Sequence, residues 1–118
     1  MADFGLFIGF GAPARGREVQ ASKVFGEAMA YYGALQQSGD IEKIEVAILE
    51  PHGGELGGFI LLRGEPERLG RVRASAEFQR LTLRGGFAVD DIGVVSALLD
   101  GEAARYVSQA NDATADLA

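Results

Sequence analysis

Four short apolar segments, Phe4 to Phe10, Ile41 to Glu50, Phe59 to Arg63 and Asp91 to Leu99, are interleaved with two helical stretches. The order is strand, helix, strand, strand, helix, strand. The strands are apolar on both faces: Ile44, Val46 and Ile48 share one side of the second, while Ala47 and Leu49 share the other with Glu45. In the third, Ile60 and Leu62 back onto Phe59 and Leu61. A sheet of such strands has two faces that cannot be left to water, and two helices on one side cover only one of them.

The segments have readable boundaries. Phe4 to Phe10 carries glycines at positions 5 and 9, where something approaches the strand closely. Gly11 to Gly16 is a loop. From Arg17 to Gln37, Ala21, Phe25, Ala28, Tyr32 and Leu35 recur at helical spacing, and Gly39 stops the helix. Pro51-His52-Gly53-Gly54 turns the second strand towards the third, giving a hairpin with a long loop. Pro66, after Glu65, opens a second helix whose Leu69, Val72 and Ala76 face the sheet, and Gly85-Gly86 is expected to end it. Glu102 to Gln109 forms a short terminal helix. A single domain is expected over residues 1–110, with a frayed tail at 111–118.

At 118 residues the chain is long enough for one core without staples, and it contains no cysteine and a single histidine. Thiolate chemistry is excluded, zinc and iron are disfavoured, and no cofactor or metal is expected. The acidic start Met1-Ala2-Asp3-Phe4 resembles neither a signal peptide nor a membrane span, so a cytoplasmic protein with no membrane partner is expected. A net charge of -6, with the positive residues dispersed, argues against nucleic acid.

The order of elements is the α+β, ferredoxin-like βαββαβ arrangement, a four-stranded antiparallel sheet with both helices on one face. A homodimer through the bare sheet face is the simplest cover for the other. Gly58-Phe59-Ile60-Leu61-Leu62-Arg63-Gly64-Glu65-Pro66-Glu67-Arg68-Leu69, followed by Ala74-Ser75-Ala76-Glu77-Phe78-Gln79-Arg80-Leu81, resembles the central stretch of the dimeric α+β barrel superfamily. That group includes antibiotic-biosynthesis-type monooxygenases, muconolactone isomerase-like proteins and YCII-related proteins. The resemblance implies a homodimer with one ligand-sized cavity per subunit between sheet and helices, and it carries over no catalytic residue.

Polar candidates for such a cavity are few. His52, at the end of the second strand, is the candidate catalytic acid or base, with Glu50 setting its tautomer or raising its pKa; an idle turn histidine is the alternative. Tyr32 lies on the apolar stripe of the first helix, where a phenol can orient a ligand or sit in the core with a buried partner. Arg63 is a candidate ligand for a carboxylate, or else pairs with Glu45 or Glu50 across the hairpin. Ser96 has no histidine to activate it, and Gly9 to Gly16 lacks the spacing of a phosphate loop. The expected function is binding of a small apolar or aromatic ligand. A cofactor-independent monooxygenase or isomerase acting on an aromatic or polyketide-like compound, and an interaction module without a ligand, are the alternatives.

Overall fold

A computed structural model describes residues 1–117. It contains β1 (Phe4–Phe10), α1 (Glu18–Ser38), β2 (Lys43–Ile48), β3 (Gly58–Arg63), α2 (Pro66–Ala74), α3 (Ala76–Ala88), β4 (Gly93–Leu98) and α4 (Asp100–Thr114), closing on a 3-10 turn at Ala115–Leu117. The four strands form one antiparallel sheet in the order β2-β3-β1-β4, the ferredoxin-like topology. Strands β3 and β1 are central, and β2 and β4 are edges.

The registers separate the faces. Leu6 opposes Leu62, Ile8 opposes Ile60, and Ile44 opposes Leu62 from the other side, so these side chains share the helix-covered face. They join Ala28 and Tyr32 of α1, Leu69 and Val72 of α2 and Phe78 of α3 in one core, with Leu62 wholly buried. Full burial of each such aliphatic side chain stabilises by about 1.5–3 kcal/mol. Phe7, Phe59, Leu61, Ala47 and Val95 occupy the opposite face, where none of them is buried. Gly9 lets the Phe7 ring fold back over the strand, since a Cβ there would come within 2.8 Å of it; the ring stacks on Phe59 at 5.2 Å. The close approach expected at Gly5 is made by Leu61 and Leu99.

Helix α1 ends where the sequence places its end. Gly39 has φ +84°, and the amide of Asp40 bonds back to the Leu35 carbonyl. The expected single second helix is instead two. Ser75 is extended (φ -69°, ψ 148°), closing α2 and capping α3 by accepting from the Phe78 amide at 3.2 Å. Gly85-Gly86 does not stop α3, which runs on to Ala88. These glycines make room instead: a Cβ on Gly85 would lie 2.7 Å from Ile92 Cδ1.

The terminal helix is longer than expected and takes in residues 111–114 of the expected tail. Helix α4 continues to Thr114, supported by the Arg105–Glu102 ion pair and by the Thr114 hydroxyl donating to the Ala110 carbonyl; Ala118 lies outside the described residues. No residue of α4 is buried. The radius of gyration, 16.2 Å, exceeds the roughly 13–14 Å of a compact chain of this length, consistent with a helix that stands off the body. Among the described residues, no helix is long and apolar enough to cross a membrane.

Candidate ligand-binding site

The sheet and the helices do not close on each other everywhere. Between them, at the end where β1 finishes and β3 begins, lies a cavity of about 650 Å³, within the range of small-molecule sites. Ile8, Phe10 and Ile60 form its sheet wall; Ala21, Phe25 and Ala28 line it from α1, and Leu81, Gly85 and Ala88 from α3. The mouth is framed by the start of α1 and by the loop between β2 and β3. The sequence explains the space: where α1 faces the sheet it carries Ala21 and Ala28, and where α3 faces it there is Gly85, so short side chains leave the gap between the layers unfilled. Phe10 and Phe25 meet edge to face across it, with centroids 6.4 Å apart.

The helical walls are tied together. Arg84 of α3 grips Glu27 of α1 through two parallel bonds of 2.9 and 3.1 Å. Around the mouth, three backbone segments cross closely: the Gly11 amide donates to the Asp90 carbonyl and the Gly57 amide to the Phe10 carbonyl, each at 2.8 Å. A Cβ on Gly57 would lie 2.9 Å from the Gly11 carbonyl oxygen, so this crossing requires glycine.

Tyr32 is 3 % exposed and lines the cavity. Its hydroxyl has no hydrogen-bond partner among the described residues, yet it is not sealed from solvent, since no buried side-chain oxygen or nitrogen is left unpaired there. Burial, with the neighbouring Tyr31 adding to it, pushes its pKa up to about 12, so the phenol is a neutral donor at physiological pH. The buried partner expected for this hydroxyl is absent. Tyr31, one residue earlier, has its hydroxyl 3.1 Å from Ser75 Oγ.

His52 and Glu50 line the same cavity, at its exposed mouth. His52 is held by its own loop: the Gly54 amide donates to Nδ1 at 3.2 Å, so Nε2 carries the proton and donates to the Leu56 carbonyl at 2.8 Å. Glu50 therefore does not set the tautomer, as the sequence reading expects; the loop backbone does. Gly54 permits this, because a Cβ there would lie 2.6 Å from the imidazole.

Arg63 belongs elsewhere. It ends β3, five residues beyond the cavity end of that strand, roughly 17 Å away at about 3.3 Å per residue. Its guanidinium donates to Asp3 at 2.9 Å, to the Ala2 carbonyl at 2.6 Å and to Asp100, so it pairs with neither Glu45 nor Glu50. This cluster pins the N-terminus and the start of α4, with Asp3 also accepting from the Gly101 amide. Arg63 does not line the cavity.

Two further acidic residues that no local motif marks stand at the mouth, Glu18 in the first turn of α1 and Glu55 in the hairpin loop. No lysine or arginine lines the cavity. Among the described residues, no group of three or more His, Asp or Glu is placed to hold a metal ion.

No protein-family model and no curated protein matches the sequence. Solved structures match the fold. A dimeric ferredoxin-like protein of unknown function from Jannaschia sp. CCS1 superposes with a TM-score of 0.60 at 15% identity, covering 81% of this chain and 99% of that one. A dimeric ferredoxin-like protein of unknown function from Bacteroides fragilis gives 0.57 at 13% identity, covering 83% and 98%. SnoaB, a cofactor-independent oxygenase from Streptomyces nogalater, gives 0.53 at 12% identity, covering 85% and 94%.

Proposed function

We propose that this protein is a homodimer that binds a small apolar or aromatic molecule, one per subunit, between sheet and helices. The observation that carries this reading is the open cavity of about 650 Å³ with apolar walls and, on Tyr32, a deeply placed hydroxyl without a protein partner. That hydroxyl faces open space and is free to donate to an acceptor on a ligand, which would fix the ligand's orientation. The interaction-module alternative fits poorly, because such a module has no reason to keep this space open.

The dimer forms through the bare sheet face. Phe7, Phe59, Leu61 and Val95 make that face apolar, and the Jannaschia and Bacteroides structures with this fold are dimeric. The alternative of a cofactor-independent monooxygenase or isomerase takes support from the likeness to SnoaB. The hold of the loop on both ring nitrogens of His52 weighs against it, because a general base needs a free nitrogen facing the substrate.

Native mass spectrometry of protein purified from its own host tests the binding reading. The expected result is a dimer that retains one small molecule per subunit, or that takes up an apolar naphthalene probe when supplied. A protein that neither retains nor takes up any such molecule refutes it, and a monomer refutes the sheet-face dimer.

A further inference from the structure

The mouth of the cavity carries charge of one sign. Glu18, Glu50 and Glu55 line it, and among the described residues none of the three joins an ion pair and no lysine or arginine lines the cavity with them. The nearest arginines in sequence are Arg15 and Arg17, before α1. The guanidinium of Arg17 is engaged with the Phe87 carbonyl at 2.9 Å and with the Phe87 ring at 3.8 Å. Neither arginine lines the cavity. The His52 imidazole at the same mouth is engaged on both ring nitrogens, by the Gly54 amide and the Leu56 carbonyl. Of the three carboxylates only Glu18 takes a hydrogen bond, from the Gly16 amide at 3.3 Å.

The inner end is different. Tyr32 is buried by more than nine-tenths and borders the cavity, and its hydroxyl, not sealed from solvent, has no hydrogen-bond partner among the described residues. The other hydroxyl whose bonding is defined in the wall, on Thr82, already donates to the Phe78 carbonyl at 2.9 Å. The free Tyr32 donor therefore waits at depth, behind an apolar middle and an acidic rim.

Building on the binding function proposed above, we infer that the cavity takes an apolar ligand that is uncharged or cationic, carries a hydrogen-bond acceptor such as a carbonyl at its inner end, and is not a carboxylate. A ligand anion entering past three carboxylates meets repulsion, and inside it finds no cation to replace its lost hydration. A neutral ketone loses little on entry and gains the Tyr32 hydrogen bond. A cationic group left at the rim is attracted by Glu18, Glu50 and Glu55.

The test uses four naphthalene probes with one ring system and different substituents: acetylnaphthalene, naphthoate, (aminomethyl)naphthalene and ethylnaphthalene, titrated calorimetrically at low and at high salt. Acetylnaphthalene and (aminomethyl)naphthalene are expected to bind, and naphthoate to bind roughly tenfold more weakly at low salt, the gap narrowing as salt screens the rim. The triple variant Glu18→Gln, Glu50→Gln, Glu55→Gln should bring naphthoate close to the ketone. Tyr32→Phe should weaken acetylnaphthalene several-fold and leave ethylnaphthalene as it was. Naphthoate binding as tightly as the ketone in the parent protein overturns the charge selection while the binding function stands. Failure of all four probes overturns both. A ketone affinity indifferent to Tyr32→Phe removes the inner hydrogen bond from the proposal.

Discussion

The Tyr31 hydroxyl donates to Ser75 Oγ across 3.1 Å, joining the middle of α1 to the break between α2 and α3. The direction follows from the serine, whose own proton goes to the Val72 carbonyl at 2.7 Å while its oxygen also accepts from the Phe78 amide. One side chain thus ends one helix, starts the next and holds both to α1. Ser75→Ala removes the cap and strands the tyrosine, so it should destabilise the fold by about 1–3 kcal/mol in urea denaturation. Ser75→Asp, which keeps the cap, should recover a part of that loss. Equal stability of Ser75→Ala and the parent would show that the junction is held by packing alone.

Tyr32 makes an alkaline signature. Its pKa is about 12 in the folded protein against 10.0 for the free side chain, so between those values the unfolded state has lost a proton that the folded state keeps. Stability from this group is complete below about pH 10 and declines as pH rises towards 12, by up to about 2–3 kcal/mol. Denaturation curves taken across that window should show a steeper fall for the parent than for Tyr32→Phe. Identical slopes would mean that the phenol is solvated in the folded state.

Ala28 lines the cavity from the centre of α1. Ala28→Leu places a larger apolar side chain into open space instead of into packed atoms, so the protein should keep or gain stability while uptake of naphthalene probes falls at least tenfold. Thermal melting and titration on the same sample separate the two effects. Retained uptake would move the ligand away from this cavity.

Val95 stands on the bare sheet face, opposite Phe7 in the register of β1 and β4, and is 56% exposed. Because so much of it is open in the single chain, Val95→Glu should leave folding intact and oppose a dimer by setting two like charges across the two-fold axis. Sedimentation is expected to give a dimer for the parent and a monomer for the variant. A dimeric Val95→Glu would exclude a sheet-to-sheet contact through this strand.

Much of the fold was legible because it rests on short-range patterns. Period-two alternation marked β2, helical spacing from Ala21 to Leu35 marked α1, and Gly39 and Pro66 marked boundaries that are local in origin. Ser75 was legible in principle, as a serine two residues ahead of Glu77 in the first turn of a helix, but the apolar spacing running through it masked the break. Gly85-Gly86 misled for the opposite reason: a glycine pair reads as a stop, and here it accommodates Ile92, which follows α3 in the chain.

The site divides along the same line. The sequence by itself determined the element order, the two apolar faces of the sheet, the burial of Tyr32 and the place of His52 in a glycine-rich turn, since each depends on residues near one another in the chain. Only the tertiary structure decided that Arg63 faces Asp3 and Asp100 at the far end of β3, that His52 is bonded to its own loop, and that Glu18 joins Glu50 and Glu55 at one mouth. Those facts depend on which strand ends meet and on how far apart Ala21, Ala28 and Gly85 let the layers stand. Cavity walls and core are written in the same apolar residues, and the difference between them is a distance between elements that no spacing along the chain contains.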